Sequence, residues 1–590
     1  MGSSFSKPPY VRDASTVAER EYDYIIVGGG TAGCVLASRL SEDPSVSVLV
    51  VEAGGSHDKE RLSKIPLAAA QLLKSKRDWS YVTEPQQALN GRQINYARGK
   101  MLGGSASINA LVYQHCSPSD FDEWERMGAK GWGYKYLAPY LRKSEKFTPN
   151  PLYPVDINEM GTTGIWHTTF SYTHAVCEKW IEATQALGIS RIADLNTPCG
   201  PIGVARFVTF VDPKGQRSSP ATAFLSKEVL KRKNLTVVID TLTTRVLFSS
   251  DGRQATAIEV ATDATGPRYR IRAKREIILA AGAVNSPQLL MLSGVGDKNE
   301  LEELKIPVVK HLPHVGKNLM DHPMAPVTFR AKDGYTLDYT QNPLKAIPVM
   351  LQWFLTGTGP ATSNGGEAVL FVRSDDQTLF GANNDGVEGL VDNTSGPDVP
   401  DLEIAIAPAG FRPLPHKGDS AITLVLILVR PLSTGHLFLQ SSSPFDKPKI
   451  DPAFLMNPAD VQIMTRLVRL ALRTARGLPL KQMLDLKSDS KPTEDVYWPG
   501  DADPETISNT DIEQWIRNNC ETVHHCAGTA RMGNSERDSV VDCDLKVWGI
   551  SNLRVVDASI FPTMVSGHPT APVVAIAERA SDLIKSFDTT

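Results

Sequence analysis

Tyr22 to Val27 (YDYIIV) is a short, β-branched apolar run that stops at Gly28-Gly29-Gly30-Thr31-Ala32-Gly33. A helical spacing follows, with Val35, Leu36 and Leu40 on one side. Val46 to Val51 (VSVLVV) reads as a second buried strand that ends at Glu52 before Ala53-Gly54-Gly55, so the opening segment predicts a βαβ unit. Ile277 to Ala281 is another buried strand, leading into Gly282-Ala283-Val284-Asn285-Ser286-Pro287. Further on, Ala421 to Val429 and Gly435 to Leu439 predict strands of a sheet. Ala459 to Arg476 predicts a helix with Ile463, Leu467, Leu470 and Leu472 largely on one face. Residues 98–110 form a small-residue loop suited to close ligand approach. The acidic, Gly/Asn-rich stretch from Asp375 to Asp401 has no periodicity and predicts a long mobile surface insertion near an active-site mouth.

Composition narrows the function classes. With 590 residues, 41% of them hydrophobic, 22% charged and 7% aromatic, the chain has ample material for a deep core and is neither disordered nor fibrous. Lys plus Arg number 62 against 66 Asp plus Glu, so no basic excess points to nucleic acid, and a small neutral partner is expected. The longest apolar run, Ala421 to Val429, falls far short of the ~20 residues of a membrane span. The charged first 20 residues do not fit a secretory signal, so a cytoplasmic protein is expected. Seven Cys without a C-x-x-C pair argue against a disulfide framework or a metal site and read mostly as small core residues. Met1-Gly2-Ser3-Ser4-Phe5-Ser6-Lys7 fits the acceptor pattern for N-myristoylation; an acyl chain on Gly2 would give a weak, reversible membrane tether.

The glycine run carries the first chemistry. Gly28 permits a tight turn, Gly30 lets backbone approach a pyrophosphate, Gly33 lets the helix pack on its strand, and Thr31 and Ala32 open that helix. An acid, Glu52, closes the next strand 19 residues after Gly33, placed to accept from an adenosine ribose. A dinucleotide site follows, and the fingerprint alone leaves NAD and FAD open.

Five ordered motifs decide between them. The GGGTAG loop, RGKMLGGSASIN (Arg98 to Asn109), GAVNSPQLLMLSGVG (Gly282 to Gly296), VGKNLMDHP (Val315 to Pro323), and HHCAGTARMG with LRVVDASIFPTMVSGHPTAP together resemble the glucose-methanol-choline (GMC) family of FAD-dependent oxidoreductases, from about residue 22 to 586. The resemblance implies an α/β Rossmann-like FAD-binding domain over 22–330 and 540–590, discontinuous and with small substrate-domain insertions. It is interleaved with an α+β substrate-binding domain, 331–539, built on an antiparallel sheet. It implies that Gly28, Gly30, Gly33 and Glu52 hold the ADP half of FAD, with the backbone of Val246 at the adenine. Leu102, Gly103, Gly104, Ser105 and Asn109 would line the pyrophosphate and flavin, Asp557 would lie near the ribityl-phosphate, and His568, Pro569 and Thr570 would abut the isoalloxazine. Ile108 stands where some covalently flavinylated relatives carry His, so non-covalent FAD is expected. Ala106 and Cys116 depart from the strictest family pattern without threatening the fold.

Alcohol oxidation needs a hydride acceptor and a base of near-neutral pKa, the role histidine suits. The family's register makes His525 the base and His568 the hydrogen-bond partner of the substrate oxygen, with His524 a packed neighbour. A His at the second position suits a neutral oxygen better than a carboxylate, which an Arg fork would favour. The expected activity is oxidation of a neutral, primary alcohol to the carbonyl by hydride transfer to flavin N5, with oxygen or a quinone as final acceptor. Three rival readings stay open on the same scaffold: lyase or cyclase chemistry with a spectator FAD, a light-driven reaction on a fatty acid, and a catalytically dead FAD-binding protein. Oligomeric state has no sequence signal.

Overall fold

A computed structural model of the chain describes residues 10–380, 392–416, 418–487 and 492–587; Gly2 and residues 381–391 lie outside the described residues. Two sheets organise it. The first has the order 235–238, 48–51, 21–27, 269–279, all parallel, and the strand 269–279 continues on its far side to 255–261 and 242–248 in antiparallel pairing. The C-terminal strand Leu553–Val555 pairs parallel with Ile277–Leu279 on that same edge. Ile25, Ile26, Val48 to Val50 and Ile277 to Leu279 are buried, because helices cover both faces of a parallel sheet and leave its central strands no polar side. The covering helices include Thr31–Leu40 and Thr570–Phe587, which pack on each other although they come from opposite ends of the chain.

The second sheet is antiparallel, in the order 521–522, 323–330, 421–428, 402–407, 368–372, 203–206. The helix Pro458–Arg476 packs on it and is buried along nearly its whole length, including Arg466 and Arg469. Their guanidinium groups donate to the carbonyls of Ser374 and Ile507 respectively, so the charge is solvated by backbone.

Three expectations need correction. The strand Pro323–Arg330, assigned from sequence to the cofactor half, is a central strand of the second sheet; Gly203–Arg206, at its edge, falls within the small insertions expected of 22–330. Gly435–Leu439 does not join that sheet; its core, His436–Phe438, pairs with Lys449–Asp451 in a separate two-stranded unit. The described flanks of 375–401 are pinned in place, since the Arg373 guanidinium donates to the carbonyls of Gly396 (2.9 Å) and Val399 (3.1 Å) and pairs with Asp375 and Asp392. Five of the seven cysteines are buried and free, Cys543 is half-buried and Cys199 is exposed. Among the described residues, no helix is long and apolar enough to cross a membrane.

Candidate active site

The loops leaving the C-terminal ends of the parallel strands converge on one cavity of about 980 Å³, the place where ligands bind in such sheets. Gly28 turns with φ +99°, and its amide donates to the Val51 carbonyl (2.8 Å). Gly33 packs on this turn so closely that a Cβ would lie 1.9 Å from the Gly28 oxygen, so it supports the loop without lining the cavity. Glu52 accepts from the amides of Gly29 (2.9 Å) and Gly54 (2.7 Å), which fixes its carboxylate at the cavity's far end; burial pushes its pKa up.

The second glycine loop lies against the first. The Gly103 amide donates to the Gly29 carbonyl (2.8 Å), and Gly104, at φ +55°, sits where a Cβ would come within 2.9 Å of Gly30 Cα. Leu102 and Gly103 therefore form the seam between the loops, while Gly104, Ser105 and Asn109 reach the cavity wall. Buried Arg217, which the motifs did not single out, holds this loop through the carbonyls of Ala106 (3.1 Å) and Asn109 (2.8 Å) and through Asn109 Oδ1 (2.9 Å); burial lowers its pKa to about 9. Asp557 accepts from the Gly282 amide (2.9 Å) and Ser286 Oγ (2.6 Å). Pro569 and Thr570 enter the wall at the start of the C-terminal helix, where Asn109 Nδ2 donates to Thr570 Oγ1 (3.3 Å).

Val246 is a correction. Its amide donates to Ser293 Oγ (2.9 Å), away from the cavity; the strand's beginning, Leu242 and Thr243, lines the wall beside Glu52. The cavity fits a dinucleotide on two observations. Thr243 Oγ1 is buried without a partner. Gly30, with an ordinary φ of −78°, faces open space where a Cβ would find nothing nearer than 3.8 Å, so its missing side chain serves a ligand and not the backbone. Gly30 also caps the helix Thr31–Leu40, whose first amides and positive dipole end suit phosphate. None of the described residues of 375–401 lines the cavity.

At the opposite end stand His525 and His568, ring centroids 4.8 Å apart and nearly perpendicular. His525 is fixed twice: its amide donates to Asp321 Oδ1 (2.8 Å), and its Nδ1 lies 3.0 Å from His322 Nδ1. Burial, with His568 and His322 close by, drives the His525 pKa well below the ordinary histidine value, and burial lowers that of His322 to about 3. His568 Nε2 is 2.9 Å from Glu403 Oε1. His524, expected to be merely packed, also reaches the cavity wall; burial lowers its pKa to about 4, and its carbonyl accepts from Arg98. His322, Asp321 and Glu403 had no assigned role from sequence. The signal for Glu403 is visible afterwards as the single acid in the otherwise apolar strand Leu402–Ala407, but Asp321 and His322 lie in a motif whose side-chain directions need the fold.

Residues 22–324 and 431–577 match the two sequence profiles described as GMC oxidoreductase. The dehydrogenase str4 of Strobilurus tenacellus is 42% identical, over 98% of this chain and 96% of that protein. Mitochondrial choline dehydrogenase of Mus musculus is 35% identical over 98% and 92%. Among solved structures, the formate oxidase of Aspergillus oryzae superposes with a TM-score of 0.87 at 31% identity, covering 97% of this chain and 99% of that one. A fungal aryl-alcohol oxidase does so with a TM-score of 0.81 at 25% identity over 96% and 99%. Matched end to end by sequence and by fold, the chain belongs to the GMC oxidoreductase family.

Proposed function

We propose that this protein oxidises a neutral, primary alcohol to its carbonyl, using non-covalently held FAD and His525 as the base. The observation that carries this reading is the facing pair of His525 and His568 in the wall of the same cavity whose other end is cradled by Glu52 and the two glycine loops. The first sheet's half holds the cofactor and the second sheet presents the substrate face, through Glu403 and the segment 521–525. FAD held there supplies a two-electron acceptor for the hydride of the carbinol carbon.

The chain's own groups handle the proton. If Nδ1–H of His525 donates to His322 Nδ1, the lone pair of His525 Nε2 is left free to take the hydroxyl proton. Its depressed pKa keeps it unprotonated at neutral pH. His568 holds the substrate oxygen, with its ring oriented by Glu403. The C-terminal helix begins at Thr570, beside His568, and directs its positive end at the reaction zone, where negative charge develops. Ile108 in the wall offers no nucleophile for a covalent flavin bond, which supports non-covalent attachment.

Anaerobic stopped-flow mixing with aliphatic, aryl, furanic and sugar alcohols tests the reading. One class should bleach the flavin, and His525→Ala should retain flavin while slowing bleaching at least ~100-fold. No bleaching by any alcohol would favour a spectator flavin; an unslowed variant would remove His525 from the role. Timing the return of colour on admitting oxygen separates oxygen from a quinone as acceptor.

A further inference from the structure

The helix Pro343–Thr356 presents Leu344, Ile347, Leu351, Phe354 and Leu355 at 54% to 78% exposure, and Val349 is its only buried residue. At about 100° per residue these five, with exposed Pro348, fall within an arc of roughly 120° that contains no polar side chain. This is not a frayed segment. Asn342 caps its start through the Leu344 amide, Gly357 ends it at φ +67°, and Trp353 on the opposite side donates to the Gly215 carbonyl (2.7 Å). A rigid, capped helix thus holds its apolar side outward, at a cost in exposed surface that a folded monomer rarely carries in one patch.

We propose that this helix docks the protein on the surface of a lipid bilayer, lying in the headgroup–acyl boundary with its axis along the membrane. Fourteen residues make about 21 Å of helix, too short for a ~30 Å hydrocarbon core, so the helix lies on the bilayer and does not cross it. The charge pattern selects lipid as the occupant. No Asp or Glu occurs between Asp338 and Glu367, while Lys345 borders the arc and exposed Lys214 lies against Gly357 at its C-terminal end, both suited to anionic headgroups. A protein interface of this size would carry a polar rim to match its partner's hydrogen bonds; here one edge of the arc passes into Pro343 and Met350 and the other into Gln352 and then Lys345, whose long stem can reach a headgroup.

Docking also orients the cavity. The helix packs on the turns Asp338–Gln341 and Pro360–Thr362. The first holds the Gly410 amide through Asp338 Oδ1 (3.0 Å), next to half-exposed Phe411, and the second packs on Pro66–Leu72, next to part-exposed Leu73. Phe411 and Leu73 both line the cavity, so its rim lies beside the bilayer. The inference does not depend on which alcohol is oxidised.

Flotation of the unacylated, flavin-loaded full chain with phosphatidylcholine–phosphatidylserine vesicles tests it. The wild type should float, and the double variant Leu351→Glu, Phe354→Glu should bind at least about tenfold less while keeping its flavin and its bleaching rate. In the wild type, vesicles should slow amide exchange across 343–356. Three results would overturn the proposal: a wild type that stays down, unchanged exchange in that helix, or a dimer in solution that the double variant splits, which would make a second copy the occupant. If the double variant loses its flavin, the exchange measurement on the wild type decides alone.

Discussion

His525 was legible as a residue type at a motif position, but the surroundings that would suit it to the role of base were not. Its ring is set by His322 and its amide by Asp321, two residues about two hundred positions upstream that reach it only because Pro323–Met324 pairs with Glu521–Thr522 at the edge of the second sheet. The same dependence hid Glu403, whose Oε1 lies in direct contact with His568 Nε2 at 2.9 Å. Conversely, the assignment of Val246 to the adenine fails because motif register alone does not say which residue of a strand turns toward the cavity; Thr243, nearer the strand's start, lines its wall, and Val246 does not. A pH profile checks the state of the base. A histidine with the ordinary pKa of 6.5 would lose about three-quarters of its neutral form on going from pH 8 to pH 6, an approximately fourfold slowing. Burial depresses the His525 pKa, so it stays neutral throughout that range, and flavin bleaching at saturating alcohol should remain level within about twofold. A fourfold fall centred near pH 6.5 would contradict this environment.

Elements were easiest to read where burial is two-sided. The runs at 22–27, 46–51 and 277–281 correspond to parallel strands, with small losses at the ends; Val46 drops out of the second strand because its amide closes a turn onto the Asp43 carbonyl. Short strands were not readable. Glu145–Phe147 and Trp166–Thr168 pair in parallel, and what ties them is the buried Glu145 carboxylate, which accepts from Thr168 Oγ1 (2.7 Å) and the Gly161 amide (2.9 Å). Burial raises the Glu145 pKa to about 7 from an ordinary 4.5. The folded protein therefore holds more protons than the unfolded chain between those values. The associated stabilisation is full below pH 4.5 and is lost as pH rises through 7, on the order of 3 kcal/mol in total. Glu145→Gln can keep both hydrogen bonds, its amide oxygen accepting from Gly161 and its amide nitrogen donating to Thr168, and carries no charge to desolvate. Relative to wild type, this variant should gain thermal stability between pH 5 and pH 8.5; melts whose difference is constant across that range would show that the carboxylate does not titrate on folding.

At the scale of the whole molecule, the spread of cofactor motifs from residue 28 to 570 called for a discontinuous cofactor half; the strand Leu553–Val555 pairs with Ile277–Leu279 and so brings the C-terminal segment into the sheet of the N-terminal strands. The placement of Pro323–Arg330 could not be foreseen, since it is buried on both faces along nearly its whole length and shows none of the polar alternation that marks a half-exposed antiparallel strand. The two chain ends are held together by charge as well as by packing. Arg39, on the helix that follows the glycine loop, forms a two-pronged pair with Glu578 on the C-terminal helix at 2.7–3.0 Å, and Lys143 reaches the same carboxylate at 3.1 Å. Glu578 is fully buried, while Arg39 and Lys143 keep 17% and 38% of their side chains in water. Removing the carboxylate strands two cations that water can only partly recover, which places the cost of Glu578→Ala at about 2 kcal/mol, below that of a fully buried pair. Both helices abut the cavity, through Thr31 and Ala32 at one and Thr570 and Val573 at the other, so loosening their contact opens the cofactor's cradle from two sides. Flavin release, followed by its fluorescence on heating, should then shift down by about 1–2 °C, the small shift that about 2 kcal/mol produces in a chain of 590 residues, together with the loss of helical circular dichroism. If the flavin left earlier while the helical signal kept its wild-type midpoint, the cradle would be failing locally, and the two ends of the chain would not be acting as one cooperative unit.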